Sequence, residues 1–272
     1  MILSSILSDG EAPDINHPRV NQMANSRSMF DELTGLPSSD LSTSEILNLR
    51  PATYRQFSSF SPGLTFMKTH DQFRFTSRKE ELFPLSHSFG CIYLIRNPLD
   101  VAVSSSFFFG KPIDEIIREM HDPGHTLNPS GGNLIPVLEE LTGNWSDHVM
   151  SWLHAEMPIH IIRYEDLLEN TSGTIQKAMD FLEIRVSEET LEKAVATTAF
   201  HRLKNAEQTH GFKEKRGSAK AFFREGKSGE GITSLNRDQI RQLITHHGAV
   251  MEQFGYRYAE LEDFFGMRGE IG

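Results

Sequence analysis

The stretch "YLIRNPLDVAVSSSFFFG", from Tyr93 to Gly110, contains the change of pattern that decides the fold. Apolar residues run to Ile95 and end abruptly at "RNP", residues 96–98. This pattern predicts a buried strand over 90–96 and a helix that starts at Pro98, because proline is well tolerated in the first helical turn. The strand therefore ends in an arginine, and a cluster of serines follows on the helix.

Other segments complete an α/β pattern. "GLTFMK" (63–68) and "PIHIIRY" (158–164) are typical of short buried strands, and the regions between and after the strands are mostly helical in period. Strands separated by helices favour a parallel sheet covered by helices. With no repeat and no linker, one domain over 1–272 is expected. Loops are predicted over 11–40 and 204–232, and helices over "MILSSIL", "LSTSEILNL", "PATYRQFSSF", "GNWSDHVMSWLHAE", "TIQKAMDFLEI", "SEETLEKAVATTAF" and "RDQIRQLITHHGAVMEQFGY".

Composition limits the classes of function. The formal net charge of −10 argues against a general nucleic-acid binder, although it leaves room for a local cationic pocket. The single cysteine, Cys91, cannot form an internal disulfide, which favours a reducing, cytoplasmic location. No apolar run approaches the length that spans a bilayer. The expectation from composition is a soluble, cytoplasmic α/β domain.

Polar residues follow each predicted strand at its carboxyl end, where parallel sheets bind ligands. Lys68 and His70 end the first strand, Arg96 the second and Tyr164 the third. Ser104 lies eight residues after Arg96, so two helical turns can return its hydroxyl to the same face. Arginine and serine would together suit a phosphate. On spacing alone, a surface ion pair and solvent-facing serines explain the pattern equally well.

These residues also carry a family resemblance. "RNPLDVAVSS" resembles the segment with which sulfotransferases bind the 3′-phosphate of 3′-phosphoadenosine 5′-phosphosulfate (PAPS), and five further segments resemble that family in the same order: "FMKTH", "IIRYEDLLEN", "TTAFHRLKNAE", "FFREGKSGE" and "GAVMEQFGY". The match covers about residues 1–257. It implies that Arg96 and Ser104 hold the 3′-phosphate, that His70 is catalytic, and that Tyr164 lies near the nucleotide.

The resemblance assigns the remaining positions too. Thr198 and Phe200 are expected to contact the adenine, and the segment with Arg224, Glu225 and Gly226 is expected to close over the 3′-phosphate. It implies a P-loop-NTPase-like parallel sheet flanked by helices. The implied reaction moves a sulfuryl group from PAPS to a hydroxyl or amine of a small-molecule acceptor, without a metal, and leaves adenosine 3′,5′-bisphosphate (PAP).

Two residues of "FMKTH", His70 and Lys68, have side chains that suit this reaction. A neutral His70 can take the proton of the acceptor, because imidazole titrates near neutral pH. Residues two apart on a strand share a face, so Lys68 would place positive charge near the transferring group. Without the family pattern, an ordinary exposed histidine among twelve and a solvated lysine are the simpler interpretations. Phe200 as a core residue, Tyr164 as a half-buried aromatic and Arg224 in a plain surface loop remain open alternatives.

Two departures from the family pattern stand out. No phosphate-cradling loop resembling PKSGTTW occurs, and "MILSSILSDG" resembles the helix that follows that loop. We therefore expect an N-terminally shortened version of the fold, in which Met1 is not the natural start or the chain is a damaged copy. In "FFREGKSGEG", Glu225 stands where lysine is common and Gly231 where tryptophan is expected. A non-catalytic relative with weak PAP binding is the alternative function, and an unrelated P-loop kinase is a third.

Overall fold

The structure is a computed structural model that describes residues 1–20, 22–61, 63–128, 135–215, 221–257 and 259–263. Its residues group into two compact units. The first unit contains residues 1–19, 94–122 and 161–272, and the second contains 20–93 and 123–160. The single domain over 1–272 stays a prediction.

Two of the three predicted strands are present among the described residues. Strand β1 (Cys91–Ile95) is paired with β4 (Ile159–Arg163), and these strands form the parallel sheet of an α/β fold flanked by helices. Strands β2 (Thr126–Leu127) and β3 (Glu140–Leu141) form a small antiparallel ladder. The strand predicted over 63–68 is wrong. Within that described range Lys68 alone is bridged, in parallel to Met23, and Leu64 is 45% exposed, so the segment lacks the ladder of a strand although Met67 packs against the core.

The helices account for most of the regular structure. In chain order they are α1 (Ile2–Ile6), α2 (Arg27–Thr34), α3 (Thr43–Phe60), α4 (Pro98–Phe109), α5 (Ile113–His121), α6 (Trp145–Leu153), α7 (Tyr164–Glu169), α8 (Thr171–Phe181), α9 (Glu188–Thr197), α10 (Phe200–His210), α11 (Glu230–Ser234) and α12 (Arg237–Gln253). Short 3-10 turns cover Ser38–Asp40, Leu85–His87 and Ala259–Leu261.

Three predictions about helices and loops need correction. The expected loop over 11–40 contains α2, whose N-cap Ser26 accepts a hydrogen bond from the Met29 amide. The expected loop over 204–232 contains most of α10 and α11, and its residues 216–220 lie outside the described part of the chain. The two helices predicted around Pro51 are one continuous helix, α3, because Ser42 and Glu45 form a capping box and the buried Ile46 and Tyr54 lie on either side of the proline.

Helix α4 forms as the opening stretch predicts. Asn97 caps it by accepting a hydrogen bond from the Leu99 amide at 3.0 Å, and Pro98 occupies the first turn. It ends at Gly110, whose φ of +65° is the left-handed conformation that glycine adopts without a Cβ penalty. Leu99, Ala102 and Val103 are buried, and the helix packs on α5, α11 and α12. The helix that follows Arg96 is thereby held against three other helices of the first unit.

The second unit has its own apolar core beneath α2 and α3. One cluster consists of Ala24, Met29, Tyr54 and Leu82, and another of Phe30, Ile46 and Leu138. Trp152 of α6 is buried too, and its indole donates a hydrogen bond to the Asp71 carbonyl at 3.0 Å. This core lies directly beside the segment that contains Lys68 and His70.

Candidate active site

Arg96 is the centre of the candidate nucleotide site in the first unit. Its guanidinium carbon lies 4.5 Å from the centre of the Tyr164 ring, and its Nη2 donates to the Lys227 carbonyl at 3.1 Å. The carboxylate of Asp100 lies 3.8 Å from the same nitrogen. Stacking, a hydrogen bond and a nearby charge together orient the arginine, whose side chain is 23% exposed.

Tyr164 and Ser104 lie on helices that begin near the two strand ends. Tyr164 is the first residue of α7, directly after β4, and is half-buried. Burial raises the pKa of its hydroxyl, although the positive charge of Arg96 acts in the opposite direction. Ser104 is half-buried on α4, next to the buried Val103. The structure therefore brings Arg96 and Tyr164 into contact, while a joint grip of Arg96 and Ser104 on one phosphate stays a prediction.

Arg224, in the segment expected to close over the phosphate, is already engaged by a carboxylate. Both terminal nitrogens of its guanidinium donate to Glu230, Nη1 to Oε1 at 2.7 Å and Nη2 to Oε2. Its guanidinium carbon also lies 4.2 Å from the centre of the Phe107 ring. The hydrogen bonds from Arg224 lower the pKa of Glu230, so this pair is ionised near neutral pH.

Two glycines of this segment, Gly229 and Gly231, lie close to helix α4. The amides of Gly229 and Gly231 both donate to the buried carboxylate of Asp100, at 2.8 Å and 2.7 Å. A Cβ atom on Gly231 would lie 2.4 Å from the Leu99 carbonyl carbon, so no larger residue fits this backbone. At this close approach to Leu99, the backbone has no room for the tryptophan that the family resemblance leads one to expect at this position.

The residues expected near adenine lie at the ends of α9 and α10. Thr198 ends α9, and its hydroxyl donates to the Ala194 carbonyl at 2.6 Å. Phe200 begins α10, half-buried, and its ring lies against Gly226, where a Cβ atom would come within 2.6 Å of Cδ2. Glu225 is exposed and 3.6 Å from Lys227. The contact of Thr198 and Phe200 with adenine remains a prediction.

The candidate catalytic residues Lys68 and His70 are exposed in the second unit. Two backbone hydrogen bonds fix Lys68. Its amide donates to the Gln22 carbonyl, and its carbonyl accepts from the Ala24 amide, each at 2.8 Å. The inference that the two side chains share the face of a strand was wrong, since the segment is not a strand. Their placement instead depends on the turn that follows Lys68.

Glu140, which the sequence analysis did not single out, holds this turn from below. Its fully buried carboxylate accepts from the His70 amide at 2.7 Å, from the Thr69 hydroxyl at 3.2 Å and from Asn25 at 2.7 Å. Burial raises the pKa of Glu140, while these hydrogen bonds oppose the rise. The backbone of His70 is therefore fixed by contacts that leave its imidazole at the surface.

Asp71 and Arg50 extend the same buried network. They form an ion pair at 2.7 Å with side chains 0% and 2% exposed, and Asp71 also accepts from the Leu141 amide at 2.9 Å. Arg50 donates to the Tyr54 hydroxyl at 2.7 Å, which in turn donates to the Ala24 carbonyl. Apart from Arg50 and Tyr54, which are four positions apart on α3, these partners stand 21 to 70 positions apart in the sequence, so spacing gave no signal of them.

His148 supports the turn from α6. Its Nε2 lies 3.2 Å from the His70 carbonyl, which can only accept, so Nε2 carries the proton. Its Nδ1 lies 2.7 Å from the Tyr93 hydroxyl. Burial lowers the pKa of His148, so the ring is neutral and Nδ1 accepts the Tyr93 proton. A neutral histidine of fixed tautomer therefore lies directly behind the candidate base.

The single cysteine does not add a nucleophile to the candidate site. Burial raises the pKa of the Cys91 thiol to about 12, which makes it a poor nucleophile at neutral pH. Across the residues that the structure describes, no group of three His, Cys, Asp or Glu side chains is arranged to hold a metal ion. Among the described helices, none is both long and apolar enough to cross a membrane.

Comparison with known proteins identifies the family of this chain. The sequence model of the sulfotransferase domain matches residues 1–255, so the chain belongs to that family. Two curated relatives are sulfotransferase 1B1 of Canis lupus familiaris, 36% identical over 122 residues, and sulfotransferase 1 family member D1 of Mus musculus, 32% identical over 173 residues. The matches cover 42% and 59% of this chain and span 37% and 54% of those two relatives.

Solved structures agree on the fold. A mouse sulfotransferase, SULT7A1, complexed with PAP has a TM-score of 0.53 at 18% identity, covering 98% of this chain and 94% of its own. Retinol dehydratase in complex with androsterone and inactive cofactor PAP has a TM-score of 0.58 at 21% identity, covering 95% and 78%. At such identities the likeness shows the P-loop-like α/β fold of these proteins. Family membership also rules out the unrelated P-loop kinase.

Proposed function

We propose that this chain is a PAPS-dependent sulfotransferase domain that transfers a sulfuryl group to a hydroxyl or amine of a small-molecule acceptor. The observation that carries the proposal is the position of Arg96 directly after β1, with its guanidinium carbon 4.5 Å from the centre of the Tyr164 ring. Ser104 follows on α4, the helix that Asn97 caps. Strand ends of this kind are where α/β sheets bind ligands, and the arginine fork matches a phosphate. The solved structures similar to this fold that hold PAP add support.

In this proposal the nucleotide is bound by three groups of residues. Arg96 and Ser104 bind the 3′-phosphate, while Thr198 and Phe200 contact the adenine. Arg224, Glu225 and Gly226 belong to the segment that closes over the phosphate. Tyr164 acts by stacking on Arg96, which holds the fork in one direction. PAPS is the co-substrate and PAP the product.

The transfer step assigns one role each to His70 and Lys68. The bond between sulfur and the phosphate oxygen breaks while a bond from sulfur to the acceptor oxygen or nitrogen forms, and the acceptor proton passes to the neutral imidazole of His70. Lys68 supplies positive charge to the spreading negative charge of the sulfuryl oxygens. Glu140 and His148 hold the backbone of His70, which fixes the position from which its exposed side chain extends.

A second candidate, a non-catalytic relative with weak PAP binding, is favoured by one observation. The fork of Arg224 is occupied by Glu230, so one of the expected phosphate contacts is already satisfied within the chain. Such a relative would bind PAP weakly and consume no PAPS. Either candidate is a cytoplasmic, single-domain protein that binds small molecules rather than nucleic acid.

A calorimetric titration with two nucleotides tests the proposed site. Replacement of Arg96 by alanine removes a charge-assisted contact worth about 1.5–3 kcal/mol, so PAP should bind about ten- to a hundredfold more weakly. Adenosine 5′-phosphate, which lacks the 3′-phosphate, serves as the matched ligand, and its affinity should change by less than about threefold. Equal losses for both nucleotides, or an unchanged PAP affinity in a folded variant, would remove Arg96 from the 3′-phosphate site.

A further inference from the structure

Glu230 occupies the position of a ligand in the cationic part of the candidate site. Its two carboxylate oxygens accept from the two terminal nitrogens of Arg224, the arrangement in which guanidinium groups also bind phosphate. Burial of this pair is partial, with 28% of the arginine side chain and 24% of the glutamate side chain exposed. A phosphate that approaches Arg224 therefore meets a fork that is already filled.

The charge around Glu230 is larger than one arginine. Hydrogen bonds from Arg224 are the main reason that its pKa is lowered, and the positive charges of Arg96 and Lys227 lower it further. Arg96 itself donates to the carbonyl of Lys227. One carboxylate is thus acted on by three cationic side chains, Arg224 and Lys227 of this segment and Arg96 at the end of β1.

The backbone fixes Glu230 in this place. The amides on either side of it, those of Gly229 and Gly231, both donate to Asp100, which is 1% exposed on α4. Gly231 also touches the backbone of Leu99 in the same helix. The glutamate is therefore held by both neighbours, and its contact with Arg224 is a built feature of this loop.

Glu225 offers an internal comparison, since it is the other carboxylate of the same segment. It is exposed and lies 3.6 Å from the Lys227 ammonium, and it does not share the geometry of a filled arginine fork. Its contribution to nearby ligands is a screened surface charge. The two glutamates carry equal charge but differ in whether they fill the fork of Arg224.

From these contacts we propose that Glu230 is an internal competitor of the nucleotide phosphate, which must leave the fork of Arg224 before that arginine can contact the ligand. The inference rests on the proposed function and adds to it a residue that sets affinity. The carboxylate keeps the fork paired and oriented in the free protein, and it makes phosphate binding an exchange of one anion for another. Nucleotide affinity is therefore lower than the number of cationic groups suggests.

The variant Glu230→Gln tests this exchange, and Asp238→Asn is its control, because it removes one negative charge from an exposed ion pair with Arg241 on α12, outside the proposed site. We expect Glu230→Gln to bind PAP about tenfold more tightly in calorimetry, and Asp238→Asn to stay within about twofold of the parent chain. Glu230→Asp, which keeps the charge but withdraws it by one methylene group, should give an intermediate gain. It also covers the case in which the glutamine variant fails to fold.

Inorganic phosphate is the second probe, measured as the rise in melting temperature with phosphate concentration. The rise should be larger for Glu230→Gln than for Asp238→Asn or the parent chain, because binding stabilises the folded state by mass action. If the parent binds PAP and the Glu230 variants bind it no better or more weakly, the glutamate positions Arg224 and the inference fails. A phosphate effect specific to Glu230→Gln without PAP binding in any variant would keep the inference and contradict the nucleotide assignment.

Discussion

Gly231 lies so close to Leu99 that a Cβ atom at position 231 would come within 2.5 Å of the Leu99 Cβ. The start of α11 and the first turn of α4 therefore meet through backbone, and the amide of Gly231 reaches the buried Asp100 at 2.7 Å. This contact connects the segment with Arg224 and Glu230 to the helix that follows Arg96.

The first prediction concerns that contact. Gly231→Ala should destabilise the fold by about 1–3 kcal/mol, because overpacking against the backbone forces a local shift. Thermal melts measure the loss, and Gly63→Ala is the control, since a Cβ on Gly63 meets no atom within 4 Å. An alanine at 231 that leaves the melting temperature unchanged would show that the two helix starts are farther apart than described.

The second prediction compares two glycines with positive φ in the same segment. Gly226 and Gly229 have φ angles of +62° and +83°, but only a Cβ on Gly226 would strike the ring of Phe200, at 2.6 Å. Both alanine variants should be strained by about 1 kcal/mol from the backbone. Gly226→Ala should in addition displace Phe200 and weaken PAP binding more than Gly229→Ala. Equal effects of the two variants on PAP affinity, measured by calorimetry, would separate Phe200 from the nucleotide.

Element boundaries that depend on local signals could be predicted from the sequence. Arg96 follows the apolar run of β1, Asn97 caps α4 by a bond two residues long, and Gly110 ends it, so each boundary depends on neighbours in the chain. The same holds for β4 and for the start of α7 at Tyr164. These boundaries place the strand-end residues of the candidate site.

Failures occurred where partners are distant in the sequence. "GLTFMK" has the composition of a strand, but a strand needs a neighbour, and within 63–68 Lys68 alone is bridged. Glu140 is paired with His70 across 70 positions, which no spacing rule detects. Helix α10 was missed because 204–232 is polar, although its buried Glu207 accepts from the Phe222 and Phe223 amides and so ties the segment together.

A third prediction concerns the buried ion pair beneath the His70 turn. Asp71→Ala should destabilise the protein by about 3–5 kcal/mol, because it leaves the fully buried Arg50 without its counter-charge. The pair Arg55–Glu80, with side chains 38% and 43% exposed, is the control, and Glu80→Ala should cost less than about 1 kcal/mol. Urea denaturation measures both. A cost for Asp71→Ala as small as that of the surface variant would contradict the burial of this network.

The fourth prediction is a loss of stability in acid, caused by histidines between α5 and α12. The rings of His121 and His246 are stacked with centres 3.7 Å apart, and His247 lies 5.1 Å from His121. Burial, with smaller effects of neighbouring histidines, lowers the pKa of His121 to about 4 and that of His247 to about 3. The unfolded chain takes up these protons first as the pH falls. The stability that depends on the neutral rings is therefore complete above pH about 6.5 and is lost as the pH falls toward 4.

The pH slope of stability measures this effect, at up to about 1.4 kcal/mol per pH unit for each group. His247→Gln should flatten the slope of urea stability between about pH 6 and pH 4.5, whatever it does to stability at neutral pH. His210→Gln, which changes an exposed histidine at the end of α10, should leave the slope as it is. The prediction fails if both variants keep the slope of the parent chain.

Transfer of labelled sulfuryl from PAPS tests the central claim most directly. The chain is incubated with labelled PAPS and a mixture of alcohols, phenols and amines, and label in the acceptor fraction is counted for the parent and for His70→Ala. We expect label to transfer, and we expect His70→Ala to lower turnover by about 10² to 10⁴. PAP affinity should stay within about threefold, because the hydrogen bond from the backbone amide at position 70 to Glu140 survives the substitution. PAP that binds while PAPS is left intact would identify a non-catalytic relative, and full turnover by His70→Ala would show that His70 is not the base.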